Sequence, residues 1–295
     1  MMDFRSVLMG LAFALMWSSA FTSARIIVVD ASPLFSLAMR FLLSGVIGIA
    51  IARMMGQPFR LSRKQWYATI LFGVCQNALY LGLNFVAMQT VQASVAAIVA
   101  SAMPLLLAIA SWLLLGERMR PLGILGLIAG ILGVALIMGS RITAGVDLYG
   151  LTLCIIGVLA LTFATLAVRG ATSGGNFMMV VGLQMLVGAA CLLVASVAFE
   201  DIRINLTTPL VLAFLYTTLV PGLAATLIWF MLLDRVGPVR AATFHFLNPV
   251  FGVAIAAILL GESLGPVDIV GVLIVTLAIF AVQISRQPPR RPPAS

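Results

Sequence analysis

Long apolar runs separated by single charged residues are the dominant pattern of this chain. Uncharged stretches cover residues 6–24, 65–116, 121–140, 148–168, 170–199, 204–233, 241–261 and 269–285. One more, 33–52, is interrupted only by Arg40. About 20 apolar residues in a helix cross the roughly 30 Å hydrocarbon core of a bilayer. Each stretch therefore holds one span, except 65–116, which holds two around the polar turn Gln89-Thr90-Val91-Gln92. The pattern predicts an all-α integral membrane protein of ten transmembrane helices. The segment Met1 to Ala24 has the look of a signal peptide, but the apolar pattern continues to the end of the chain, so it is taken as the first span.

The pattern also repeats. When the sequence is shifted by 145 residues, Leu115-Gly116-Glu117 falls on Leu260-Gly261-Glu262 and Pro121 on Pro266. Gly126 falls on Gly271, Pro104 on Pro249 and Phe85 on Phe230. Nearer the N-terminus a shift of 144 places Arg40 on Gln184. Apolar residues match one another by chance, but a Gly-Glu-x-x-x-Pro motif and an intramembrane proline at one offset do not. The halves run over 6–140 and 148–285, followed by a basic, proline-rich tail, 286–295, expected to be disordered and cytoplasmic. Five spans per half is an odd number, so the second copy enters the membrane inverted. Two inverted five-helix repeats are a common plan of secondary transporters, with the solute near the midplane between them.

Charge sets the orientation. Of the 17 Lys and Arg, 13 fall on the side of the N-terminus, three (Arg25, Arg141, Arg203) on the other, and Arg40 within a span. Positive residues collect on the cytoplasmic side, which puts both termini there. The net charge of +8 thus reflects topology. The basic residues form no single stripe for nucleic acid. Composition agrees: 62% of residues are hydrophobic and 9% charged, against about 25% charged in soluble domains. Three isolated cysteines and one histidine provide neither a disulfide framework nor a metal site, and no cofactor is expected. The chain is taken as a monomer, with higher oligomers left open.

Trp17-Ser18-Ser19-Ala20-Phe21, Arg40-Phe41, Met103-Pro104 with Leu115-Gly116-Glu117, and Asn248-Pro249 with Leu260-Gly261-Glu262 together resemble the drug/metabolite transporter superfamily, specifically its ten-helix EamA-type exporters. Within it the chain looks most similar to aromatic amino-acid exporters. The resemblance implies a solute exporter. The second half departs from the pattern: Gln184 replaces the arginine, and Leu161-Thr162-Phe163-Ala164-Thr165 stands where the first half has Trp-Ser-Ser. The halves should not offer equivalent side chains.

Polar groups inside a membrane are costly and tend to face the bundle interior or a wet cavity. Asn77, Tyr80 and Asn84 share a face of the third span. For Asn77 and Tyr80 a cavity wall and interhelical hydrogen bonding are equally good accounts; Asn84, nearer the membrane edge, is assigned to packing. In the ninth span Ala241, His245, Asn248 and Gly252 share a face. Pro249 has no N–H, so the carbonyl of His245, four residues earlier, is freed. Pro104 does the same for Ala100. Paired breaks in corresponding helices point to a binding site. Trp17 lies deep in its span, and its ring could stack on an aromatic or cationic solute or pack the core. The resemblance favours the cavity for Trp17, as for Thr226, Trp229, Phe163 and Thr162. Trp66 and Trp112 read as interface residues. Arg40 costs about 2.5–3.5 kcal/mol at a span centre and is assigned a structural role, bonding carbonyls or hydroxyls such as that of Ser44. Gly126 and Gly130 form a small-residue face for packing against the tenth span.

The nine acidic residues lie at or near span ends. An exporter of cations coupled to protons needs a buried carboxylate, and a carrier of sugar phosphates needs paired cations. Neither is present. The expected cargo is a neutral or zwitterionic solute, such as an amino acid, carried without a dedicated proton site. An intramembrane enzyme is excluded by the lack of clustered Asp, Glu and His.

Overall fold

The computed structural model describes residues 3–116, 119–167 and 175–285. Glu117 of the first Gly-Glu motif, Arg169 and the predicted tail 286–295 lie outside the described residues. Among the described residues ten helices are long and apolar enough to cross a bilayer. They are α1 (Phe4–Asp30), α2 (Pro33–Met54), α3 (Arg63–Ala87), α4 (Ala93–Leu114), α5 (Pro121–Thr143), α6 (Leu148–Ala167), α7 (Phe177–Phe199), α8 (Thr208–Val236), α9 (Arg240–Leu260) and α10 (Pro266–Ser285). Among the described residues there is no β-strand, only an isolated bridge between Ala31 and Ile204. The chain is a multi-pass membrane protein. Apolar side chains cover its outer surface, as on α5, where Leu125 and Leu132 are exposed.

Helix partners follow the sequence correspondence. α2 packs along α7, α5 along α10, and the first half of α4 against α9. Each pair joins positions related by the shift of 144–145 residues. Glycines bring the backbones together, since lipid offers no hydrophobic drive between helices and close packing must supply the attraction. A Cβ placed on Gly182 would stand 2.9 Å from the backbone nitrogen of Ile49 and 3.0 Å from the Gly45 carbonyl oxygen. One on Gly126 would stand 2.9 Å from the Ala278 carbonyl oxygen, and one on Gly130 3.1 Å from the Ala278 Cβ. Gly126 and Gly130 thus pack on α10 as the small-residue spacing predicts.

The two ends of the bundle differ. The far end, opposite the N-terminus, is stitched by polar side chains from distant segments. Glu200 accepts hydrogen bonds from the backbone N–H groups of Leu34 (2.8 Å) and Phe35 (3.1 Å) at the start of α2. Glu262 does the same for Ala93 (2.7 Å) and Ser94 (3.0 Å) at the start of α4. A helix start leaves N–H groups unpaired and carries partial positive charge, so each carboxylate satisfies both needs. Arg141 bridges Asp268 (2.9 Å) on α10 and Gln92 (2.6 Å) before α4, and the Arg25 guanidinium bonds the Met88 carbonyl. At the near end Arg235 pairs with Asp3, whose carboxyl is held well below its usual range chiefly by that hydrogen bond. Both side chains are close to half exposed, so this pair is screened and contributes little.

Branched volume at the α2–α7 contact should be poorly tolerated. Gly182→Val is expected to cost about 1–3 kcal/mol and to lower the melting temperature in detergent by several degrees, whereas Gly139→Val, where nothing lies within 4 Å, should leave it unchanged. Differential scanning fluorimetry of the two variants checks this.

Candidate functional site

Four helices depart from regular α geometry, and they do so in corresponding pairs. α3 carries a π-helical segment, Gly73–Leu81, and α8 carries one at Val220–Ala224. α4 breaks at Ala102, one residue before the Met103-Pro104 pair, and the N–H of Ala102 is shared by the Ala100 and Val99 carbonyls. α9 tightens into a 3₁₀ turn, Thr243–Leu247, just before Asn248-Pro249. π segments are rare and collect at functional sites. All four departures border one cavity of about 790 Å³, within the usual range for small-ligand sites.

The cavity begins among Arg40, Tyr80 and Ala97 and runs to Gln65, Asp234 and Gln283 at the near ends of α3, α8 and α10. Among the described residues α5 contributes nothing to its lining. Nine of the eleven predicted site residues line it: Trp17, Asn77, Tyr80, Ala100, Pro104, Thr226, Trp229, His245 and Asn248. Two do not. Pro249 is buried within α9, outside the lining. Phe163 is 59% exposed on the lipid side of α6, while Leu161 and Thr165 face the cavity. Two residues along a helix turn the side chain by about 200°, so one α6 residue cannot share the face of both neighbours. Thr162 bonds back to the Val158 carbonyl (2.8 Å) and also lies outside the lining.

One wall is aromatic. Phe13 lies between Trp17 and Trp229 in tilted contacts, with ring centroids 5.6 and 4.7 Å away. The His245 ring meets Phe13 and Trp229 edge-on, at 5.2 and 5.0 Å. Phe13 was not predicted, although it sits one turn before Trp17 on the same helix face. The Asn248 amide nitrogen lies 3.0 Å from His245 Nδ1. The two side chains thus form a hydrogen-bonded pair within one turn of α9. Asn248 Oδ1 is buried with no hydrogen-bond partner among the described residues. The freed His245 carbonyl predicted to face a solute is taken instead by the Asn248 N–H, because the 3₁₀ turn brings a nearer donor to it.

The opposite wall is polar and tied to the π segments. Asn77 lines the cavity and also donates to the Gln184 carbonyl on α7 (2.9 Å), so both accounts of it hold. Tyr80 is 5% exposed and makes no side-chain hydrogen bond among the described residues. Asn84 donates to the Tyr80 carbonyl (2.7 Å) away from the cavity, as a packing residue does. Pro221 has no N–H, which frees the Thr217 carbonyl four residues earlier. Arg40 Nε donates to that carbonyl (3.3 Å), and the Ser44 hydroxyl to the neighbouring Thr218 carbonyl (3.4 Å). Arg40 therefore has the structural role assigned to it, but it also lines the cavity. Among the described residues no cluster of three His, Cys, Asp or Glu side chains could hold a metal ion.

The model of the EamA-like transporter family matches the chain twice, over residues 4–139 and 148–284. The chain belongs to this family. It is a membrane transporter handling small solutes. Its relatives include the "Uncharacterized inner membrane transporter YedA" of Escherichia coli (strain K12), 27% identical over 97% of this chain and 94% of that protein. The "Uncharacterized transporter YvbV" of Bacillus subtilis (strain 168) is 23% identical over 94% of this chain and 91% of its own length. "Protein PecM" of Dickeya dadantii (strain 3937) is 23% identical over 85% and 83%. A crystal structure of a protein 19% identical superposes with a TM-score of 0.68, covering 96% of this chain and 99% of that one; it shares the fold.

In a background in which Cys75, Cys154 and Cys191 are replaced, Leu161→Cys and Thr226→Cys should react with a charged, water-soluble thiol reagent, and Phe163→Cys should not. Mass spectrometry of the labelled variants in proteoliposomes reads the difference; equal labelling at positions 161 and 163 would contradict the α6 orientation.

Proposed function

We propose that this EamA-family transporter exports small neutral or zwitterionic metabolites, amino acids with aromatic side chains among them, across a bacterial inner membrane. The observation that carries this is the cavity lining. Aromatic rings, the hydrogen-bonded His245–Asn248 pair and the amides of Asn77 and Gln184 surround it. Among the described residues the one carboxylate in the lining is Asp234, exposed in the last turn of α8. A proton-exchanged organic cation needs a carboxylate taken out of water, and Asp234 does not meet that requirement. A multidrug-cation exporter is accordingly the weaker alternative. A receptor or purely structural membrane protein is disfavoured by family membership.

The proposed mechanism is alternating access between two inverted five-helix repeats. Among the described residues the cavity reaches the near end only, while carboxylate caps and the Arg141–Asp268 bridge hold the far end together. With the termini in the cytoplasm, as the charge bias requires, this is the inward-open state. Outward opening must then part contacts at the far end and bring the mouths of α3, α8 and α10 together. Facilitated transport without a dedicated proton site is preferred, and the protein is taken to act as a monomer.

Proteoliposomes preloaded with unlabelled phenylalanine or methionine are expected to take up the labelled amino acid by counterflow; absence of counterflow for every neutral amino acid would refute the cargo class. His245→Gln should reduce the rate without changing its pH dependence. A rate retained with pH dependence lost would instead make His245 a proton carrier. Reporter fusions should find residue 295 cytoplasmic and the segment after Asp201 periplasmic.

A further inference from the structure

Arg40 is the charge that the transport account leaves unused. It is 5% exposed, in the middle of α2, and it lines the cavity. Its guanidinium carries five N–H donors. The Thr217 carbonyl takes the Nε proton, the Phe41 ring lies 5.0 Å from the guanidinium carbon, and no other hydrogen bond or ion pair engages it among the described residues. The terminal nitrogens Nη1 and Nη2, the fork that matches a carboxylate, keep their donors unspent. Gly222 lets the α8 backbone pack close to them: a Cβ there would stand 3.1 Å from the Thr217 carbonyl oxygen, 3.3 Å from the Ser44 hydroxyl and 3.5 Å from Nη2. A buried charge is stable only when paired. The protein anchors this one by its Nε edge, and among the described residues no counter-charge lies within ion-pair distance.

We propose that Arg40 is the carboxylate-binding residue of the solute site, so that the cargo carries one carboxylate beside an apolar body. This rests on the transport reading of the cavity and narrows its cargo. The position corresponding to Arg40 in the second half is Gln184, which lines the same cavity with a neutral amide. Among the described residues Arg40 is the one cation in the lining, which balances a single negative charge and leaves a dianion such as a phosphate ester short of a partner. The aromatic group of Phe13, Trp17 and Trp229 supplies the surface for the apolar end. The π segment of α8 fixes the arginine: without Pro221 the Thr217 carbonyl would be engaged within its own helix and the fork would lose its anchor.

Tryptophan fluorescence tests this on the purified full chain in detergent, because Trp17 and Trp229 lie in the cavity wall. The probes are phenylacetate, phenylacetamide, phenylalanine and phenylalaninamide. The wild type is expected to bind each carboxylate at least about tenfold more tightly than its amide. Arg40→Gln should bring phenylacetate down to the level of phenylacetamide while leaving the amide within about twofold, and Arg40→Lys should fall between. A tighter phenylalanine marks a zwitterion and a tighter phenylacetate a free acid; either supports Arg40 as the carboxylate site. Equal affinity of acid and amide in the wild type, or no binding of any probe, overturns the proposal even if Arg40→Gln does not fold. So does an acid preference that survives Arg40→Gln, or an equal loss for both probes. Acid preference without counterflow would refute the transport reading alone. Phenylalanine counterflow unchanged by Arg40→Gln would refute only the role of Arg40.

Discussion

A bilayer offers no water to an unpaired peptide group, so every backbone N–H and C=O in the hydrocarbon region must be met by the protein or by a wet cavity. This constraint explains why the departures from α-helix are few and grouped. Proline removes a donor at positions 104, 221 and 249, and π or 3₁₀ geometry loosens the helix at Gly73–Leu81, Val220–Ala224 and Thr243–Leu247. Each freed carbonyl is taken up locally or by a polar side chain. Thr217 receives Arg40, Thr218 receives Ser44, and His245 receives the Asn248 N–H. The breaks lie in corresponding helices of the two halves, and together they surround one cavity.

Elsewhere the same constraint is met without breaks. At the far end Glu200 and Glu262 cap the starts of α2 and α4 from other segments, each by two hydrogen bonds. Those caps tie the two halves together, because Glu200 belongs to the second half and α2 to the first. Glycine contacts along α2–α7 and α5–α10 do the corresponding work inside the membrane. The structure is thus tight along two helix pairs and at one end, and hollow toward the other. A transport cycle needs that difference between ends.

Much of this was legible in the sequence because its signals are strong. Apolar length gives the ten spans, and the Gly126–Gly130 spacing gives a helix contact. Polar residues deep in apolar runs mark the cavity wall, as with Asn77, Tyr80, His245 and Asn248. What was not legible depends on rotation and on local geometry. Phe163 stands in the segment that replaces the Trp-Ser-Ser motif of the first half but faces lipid, since the register of α6 turns Leu161 and Thr165 inward instead. The free His245 carbonyl presumes a regular α-helix up to Pro249, and the 3₁₀ turn removes it. No residue pattern announces the π segments, so the double role of Arg40, anchored at Thr217 and open to the cavity, required coordinates. Phe13 shows the reverse case: its place one turn before Trp17 was visible, but an apolar residue in an apolar helix carries no distinguishing signal.

The central claim is that these paired breaks build the solute site. An experimental density map of the protein in nanodiscs with saturating phenylalanine tests it most directly. The account predicts solute density within the cavity, with the carboxylate against the Arg40 guanidinium and the ring beside Trp17 and Trp229. Density confined to the lipid-facing surface or the far-end loops, with the cavity empty, would contradict it.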